Sequence, residues 1–308
     1  MSPAAGPGAQ GHGEAGERTP GATRLGVIGW PVAHSRSPAM HAAALRELGL
    51  APPWSYQRLP VAPELFAETT RALGGAGFHG ANVTIPHKQA ALALADEASE
   101  AARAIGAANT LTFAPDGTIA AENTDAPGLI AAMERAGHPP RGLTATVLGA
   151  GGTARAAVWA LRAAGAREVS VWNRTAERAE ALAGACGIRA VRLPESTDIL
   201  INCTSVGLVR PASASESSLN LLSLKHDLVG RYSYVVDFVY GTGPTELLAA
   251  AHEQGVPTLD GLELLVAQGA LSLERWTGRP APLAVMRRAG RSPIGREADG
   301  EHPDADAG

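Results

Sequence analysis

The chain has 308 residues, 45% of them hydrophobic, with a formal net charge of -4 and a pI near 6.1. That length suggests roughly two domains with a sizeable core, and so weak an acidic balance argues against a nucleic-acid groove or a membrane-binding surface. Two cysteines, Cys186 and Cys203, cannot build a disulfide framework, and no Cys/His spacing fits a zinc site, so no metal and a reducing, cytoplasmic setting are expected.

Residues 1–23 are rich in Gly, Ala and Pro and lack the basic start and apolar stretch of a secretory signal. They read as a disordered tail, as do residues 290–308, which end acidic. No apolar run approaches the ~20 residues of a membrane helix.

Between the tails, short strand-like runs alternate with Ala-rich helical stretches, which argues for an α/β fold. A strand at 24–29 leads through Ser35-Arg36-Ser37-Pro38, good N-capping chemistry, into a helix over 38–48. A strand at 54–59, a helix at 63–73 and a strand ending at Asn82-Val83 follow. Next comes Thr84-Ile85-Pro86-His87-Lys88, where Pro86 suits the first turn of a helix. Lysine is scarce: only Lys88 and Lys225 stand among 26 basic residues. A guanidinium cannot give up its proton near neutral pH, whereas an amine can be tuned to do so. Close to a helix N-terminus, the positive end of the dipole disfavours a second positive charge, so Lys88 is a candidate proton acceptor.

Strands at 109–113 and 118–122 precede Asn123-Thr124-Asp125 and a helix through Arg135; a domain boundary is placed after Asp125. A strand at 144–148 then runs into Gly149-Ala150-Gly151-Gly152-Thr153-Ala154 and a helix over 155–164. In the order strand, glycine turn, helix, Gly149 permits the tight turn, Gly151 lets the backbone approach a pyrophosphate, and Ala154 allows close helix–strand packing. The strand at 168–172 ends in Asn173-Arg174-Thr175, with Arg178 one turn into the next helix. An NAD site usually carries an acidic residue about 20 residues beyond the glycine turn. None ends this strand, and Arg174 and Arg178 offer planar, multidentate donors to a 2′-phosphate, with a hydroxyl from Thr175. The sequence therefore reads as an NADP site. A strand at 198–202 leads to Cys203-Thr204-Ser205-Val206-Gly207, over the ligand crevice. Residues 208–231 show little periodicity. A strand at 234–238, a helix after Pro244, and a helix over 260–276 with an apolar stripe of Leu262, Leu265, Val266, Gly269 and Leu273 complete the chain.

Several of these motifs, in this order, resemble those of the shikimate dehydrogenase family from about residue 25 to 289: residues 29–38, 82–88, 106–110, Asn123-Thr124-Asp125, 149–154, Asn173-Arg174-Thr175, 202–207 and 261–268. The resemblance implies an N-terminal α/β substrate-binding domain (24–125, completed by 261–289) and a Rossmann-like, doubly wound NADP-binding domain (126–260). It implies reversible reduction of 3-dehydroshikimate to shikimate by NADPH, a step toward chorismate and the aromatic amino acids. Lys88 would transfer the proton with Asp125 beside it. Ser35, Ser37 and Tyr240 would hold the substrate carboxylate, and Asn82, Thr84, Asn109 and Gln268 would surround the ring hydroxyls. The cofactor contacts would be Gly149, Ala150, Gly151, Gly152, Thr153, Ala154, Asn173, Arg174, Thr175, Arg178, Thr204 and Ser205, with Phe238 and Gly261 near the nicotinamide. His34, His41 and His87 read as structural or rim residues. The family often has Met where this chain has Leu208 and Leu264, and Pro where it has Thr242. Related readings are a quinate/shikimate or aminoshikimate dehydrogenase, or a noncatalytic shikimate-binding regulator; a homodimer stays open.

Overall fold

The computed structural model describes residues 22–208, 217–241 and 243–292. The expectations for most of both tails and for Thr242 lie outside them. In chain order the elements are β1 (Thr23–Gly29), α1 (Ser37–Glu47), β2 (Trp54–Pro60), a 3-10 turn (Pro63–Leu65), α2 (Phe66–Leu73), β3 (Phe78–Val83), α3 (Lys88–Leu94), β4 (Glu97–Ala98), α4 (Glu100–Ile105), β5 (Thr110–Phe113) and β6 (Ile119–Glu122). Then follow α5 (Asp125–Arg135), β7 (Thr144–Leu148), α6 (Gly152–Ala163), β8 (Glu168–Trp172), α7 (Ala176–Cys186), β9 (Arg189–Ala190), β10 (Ile199–Asn202), α8 (Ser218–Leu221), a 3-10 turn (His226–Arg231), β11 (Tyr234–Asp237), α9 (Glu246–Glu253), β12 (Thr258–Leu259), α10 (Gly261–Thr277) and α11 (Leu283–Arg291).

Two six-stranded sheets organise these elements. The first has the order β2-β1-β3-β5-β6-β4, with β1, β2 and β3 parallel, β5 antiparallel to both β3 and β6, and β4 parallel to β6. Reversal at β5 matters for the site. Asn82 near the end of β3 pairs with Thr110 at the start of β5, which pairs in turn with Glu122 at the end of β6. The Asn82–Lys88 segment, Asn109 and Asp125 therefore leave the sheet at one edge.

The second sheet is wholly parallel, with the order β12-β11-β10-β7-β8-β9. Its strands run apolar on both faces (Ile-Leu-Ile in β10, Val-Val in β11), as helices on both sides of a parallel sheet require. Counted from β7, the order is that of a dinucleotide-binding sheet. The switch point falls between β7 and β10, which is where the glycine turn and the Cys203–Gly207 loop emerge.

Helix α10 joins the two halves. Its Leu264 and Ala267 pack in the core around β7 and α6, while Val266, Ala270, Leu273 and Trp276 pack with β1 and α1. The expected stripe described only part of this burial, because a helix wedged between two cores has two apolar faces. Local differences have similar causes. The segment 63–73 is a 3-10 turn followed by α2, and α3 starts at Lys88, leaving Pro86 just outside it. Helix α6 begins inside the glycine motif, at Gly152 rather than 155, since Gly151 already has the extended backbone of an N-cap. Elements β4, β9 and β12 are two-residue pairings that carry no periodicity, and α4 and α8 are short; these escaped the sequence reading, as did α11, whose last residues fall in the stretch from 290 that was expected to be a disordered tail.

Candidate active site

Lys88, the first residue of α3, reaches from the edge of the first sheet to the start of α6. Its Nζ donates to Asp125 Oδ2 at 2.7 Å and to Thr153 Oγ1 at 2.8 Å, and Lys88 and Asp125 side chains are only 11% and 7% exposed. Asp125 sits in the first turn of α5, and its other oxygen accepts from Asn109 Nδ2 at 2.9 Å. The same Asn109 amide donates to Thr124 Oγ1 at 3.0 Å and to Gln268 Oε1 at 3.2 Å, while its Oδ1 accepts from the Thr124 N–H at 2.7 Å. Gln268 arrives from α10, where a Cβ on Gly128 would lie 2.9 Å from its backbone nitrogen, so glycine lets α5 and α10 meet there.

A second layer of polar groups lies behind this one. Asn82 Nδ2 donates to Ser272 Oγ at 2.8 Å, Ser272 meets Thr110 Oγ1 at 2.9 Å and Thr124 Oγ1 at 3.2 Å, and the Tyr56 hydroxyl donates to Asn82 Oδ1 at 2.8 Å. All of these side chains are buried, and each finds a partner, as buried polar groups must. Both ends of the Asn82 amide are engaged. Thr84, two residues on, is half-buried and holds the turn through its backbone, its N–H donating to Ile28 O at 2.9 Å.

Ser35, Ser37, Tyr56 and Tyr240 meet at one corner of this region. The Ser37 N–H donates to Ser35 Oγ at 3.3 Å. Burial pushes the Tyr240 hydroxyl above its usual range, against the pull of a hydrogen bond with Ser35 and the positive charges of Arg36 and Arg58. Burial also pushes Tyr56 well up, opposed by a hydrogen bond with Ser37. Arg36 between the two serines donates to the carbonyls of Gly290 and Ser292, each at 2.8 Å, tying the end of α11 to this corner.

On its other side Lys88 lines a cleft of about 430 Å³ whose walls are Gly149 to Thr153, Asn173, Arg174, Thr175 and Arg178, and Thr204 and Ser205. Among the described residues its lining carries three cationic side chains and no carboxylate. Gly149 adopts φ +111°, and a Cβ there would lie 3.2 Å from the Cys203 carbonyl oxygen; a Cβ on Gly151 would meet nothing within 4 Å, leaving room for a close ligand. These features fit an anionic dinucleotide. Ala154 is fully buried in the core instead. Phe238 and Gly261 do not line this cleft but touch each other: a Cβ on Gly261 would lie 2.5 Å from the Phe238 carbonyl oxygen. Leu208 stands 44% exposed, and Leu264 is buried in the core.

His41 stacks on Tyr56 with ring centroids 4.2 Å apart, and His87 stacks on Phe66 at 4.5 Å while its Nε2 contacts Val61 O at 2.7 Å. Among the described residues no group of three or more His, Cys, Asp or Glu side chains is placed to hold a metal ion, and no helix is long and apolar enough to cross a membrane.

Comparison with known proteins agrees along the chain. Residues 27–111 match the shikimate dehydrogenase substrate binding domain, residues 133–217 shikimate / quinate 5-dehydrogenase, and residues 261–289 the shikimate 5'-dehydrogenase C-terminal domain. The shikimate dehydrogenase (NADP(+)) of Methylobacterium radiotolerans is 46% identical over 277 residues, spanning 86% of this chain and 95% of that protein. The chain belongs to the shikimate dehydrogenase family. The family member from one strain of Thermus thermophilus is 42% identical over 276 residues, 88% of this chain and 99% of that one. Shikimate 5-dehydrogenase from another strain of the same species, solved in complex with NADP(H) and shikimate, superposes with a TM-score of 0.78 at 41% identity, over 87% of this chain and 98% of that chain.

Against that family background, the sequence reading missed Tyr56, Thr110, Thr124 and Ser272 as members of the polar region. Thr110 and Thr124 each adjoin a residue already singled out, and Ser272 lies one helical turn beyond Gln268, on the same face of α10. Tyr56 had no local signal, because only the pairing of β1 with both β2 and β3 brings it to Asn82.

Proposed function

We propose that this family member is an NADP-dependent oxidoreductase that interconverts 3-dehydroshikimate and shikimate, with Lys88 and Asp125 handling the proton. The observation that carries this reading is the 2.7 Å Lys88–Asp125 pair, placed where the polar region meets a cleft lined by Arg174 and Arg178 and by no carboxylate among the described residues. When bound, NADPH supplies the hydride to the carbonyl carbon. The residues of the chain bind, orient and protonate. Ser35, Ser37 and Tyr240 form the corner for the substrate carboxylate. Thr84, Asn109, Gln268 and Asp125 face the ring hydroxyls, and Asn82 holds the floor beneath them. In the reducing direction Lys88 delivers a proton to the carbonyl oxygen as it becomes a hydroxyl; in the oxidising direction it accepts that proton, while Asp125 keeps the amine in place.

For the cofactor, Gly149 to Gly152 leave the backbone open to a pyrophosphate, and Arg174, Thr175 and Arg178 receive the 2′-phosphate, with Asn173, Thr204 and Ser205 around them. Ala154 serves by close packing, and Phe238 and Gly261, which lie outside the cleft's lining, would act on the nicotinamide end only from behind it. The proposed domain division is 24–125 with 261–289 for substrate and 126–260 for cofactor. A cytoplasmic location suits the two unpaired thiols of Cys186 and Cys203.

Steady-state assays of the purified protein with shikimate, quinate and aminoshikimate, each with NADP+ and NAD+, test this. Turnover is expected to be fastest with shikimate and NADP+. A preference for quinate with NAD+ would refute the assignment.

A further inference from the structure

We propose that Thr153 is a positioning residue that holds the Lys88 ammonium from the cofactor side and reports cofactor occupancy to it; this rests on the function proposed above. Three observations lead there. First, the Lys88 Nζ to Thr153 Oγ1 bond of 2.8 Å is not local: Lys88 opens α3 beside the first sheet, and Thr153 is the second residue of α6 in the second. Second, the stem of Lys88 rests on the start of α6. A Cβ on Gly152 would lie 2.8 Å from Lys88 Cβ and 3.2 Å from its Cδ, so glycine at this position permits the approach. Third, the donor count leaves one direction open. An ammonium has three N–H donors; Asp125 takes one and Thr153 another. With two staggered positions anchored, the third is fixed in space: as an N–H it serves the carbonyl oxygen in reduction, and as the lone pair of the neutral amine it accepts the hydroxyl proton in oxidation.

The Thr153 hydroxyl has a donor to spare. Its Oγ1 accepts from Lys88 with a lone pair, so its own O–H remains available to donate. It lines the same cleft as Arg174 and Arg178, at the start of a twelve-residue helix, where the acceptor to be expected is a pyrophosphate oxygen. Thr153 thus joins Asp125, Lys88 and the cofactor in one hydrogen-bonded line. An alanine keeps the helix but cuts that line at a single atom, and a serine restores it.

Kinetics and spectroscopy separate this idea from a simple cofactor contact. For Thr153→Ala, kcat for shikimate oxidation is expected to fall at least severalfold and up to about 10²-fold, the scale of a reacting group misplaced by about 1 Å, with the KM for shikimate changed by less than about twofold. Thr153→Ser should recover most of the loss, and Thr153→Val should not. An unchanged kcat with a raised KM for NADP+ would overturn the proposal, as would a serine variant as slow as alanine. A second measurement needs no turnover. The chain has two lysines and Lys225 is exposed, so the ammonium nitrogen of Lys88 can be followed by NMR after 15N-lysine labelling, with Lys225→Arg giving the assignment. Addition of NADP+ should move the Lys88 signal in the parent and in Thr153→Ser, but not in Thr153→Ala. Equal shifts in all three would refute the coupling. An inactive parent enzyme that still showed this pattern would refute the proposed reaction and leave the positioning role standing.

Discussion

The two sides of Lys88 are built differently. On the side proposed for the substrate lies a closed polar region: Asn82, Asn109, Thr110, Thr124, Asp125 and Ser272 are buried, and nearly every donor already has an acceptor within 3.3 Å. On the side proposed for the cofactor lies an open cleft whose arginines, Arg174 and Arg178, are exposed, and whose other walls mix glycine backbone and short hydroxyls with apolar side chains such as Ile85, Trp172, Val206 and Leu221. The contrast follows from the ligands expected in each. A small triol is read by directional hydrogen bonds, which demand groups locked in advance. A large anion can be gripped by flexible charged side chains and backbone N–H groups.

That contrast can be broken from the substrate side first. Lys88→Ala should lower kcat by roughly 10²-fold or more while substrate binding changes little, measured by steady-state kinetics and by shikimate titration. Unchanged turnover would take the proton role away from Lys88. Next in size, Asn82→Ala takes the acceptor from the Tyr56 O–H, leaving that hydroxyl only its bond with Ser37, and removes a partner from Ser272, so denaturant unfolding should show a loss of about 1–3 kcal/mol. A neutral result would mean that the buried layer tolerates a gap, and that its locking is not what distinguishes it. On the open side Arg174→Ala should act more weakly, because an exposed charge contributes about 1 kcal/mol or less. Its mark is selectivity: the KM for NADP+ rises and that for NAD+ does not. If both rise together, Arg174 does not read the 2′-phosphate.

The smallest effect at neutral pH sits beneath the closed side. Burial holds the His41 imidazole down at about 3, against 6.5 for an ordinary histidine. The unfolded chain therefore takes up this proton first, and the stability due to neutral His41 is complete above pH 6.5 and is lost as pH falls from there toward 3. Asp237 works in the opposite sense: burial pushes it up to about 6, so between about 4 and 6 acidification favours the folded state at that group. Thermal unfolding followed from about pH 7 to about pH 4 should show a shallower acid decline for His41→Leu than for the parent. An identical decline would place the acid sensitivity elsewhere.

Much of the open side could be read directly from the chain. The strand 144–148, the glycine turn and the paired arginines are contiguous signals with local causes: apolar runs for buried strands, positive φ for Gly149, missing carboxylates for an anion. They predicted a Rossmann-like unit, and its strand order follows. Apart from the grouping that the family resemblance implied, the closed side was legible only as a scatter of polar residues. Asn82 and Ser272 stand 190 positions apart, Asn109 and Gln268 159, and nothing in the periodicity of either segment says that they touch.

The amino-acid order by itself thus determined the alternation of strands and helices, the anion-binding turn and the identity of the groups able to titrate, because each depends on neighbours within a few residues. Tertiary structure decided that Lys88 stands between Asp125 and Thr153. Those bonds exist because β5 runs against β3 and β6, which gathers three loops at one edge, and because glycines at 128 and 152 let α10 approach α5 and the start of α6 approach Lys88.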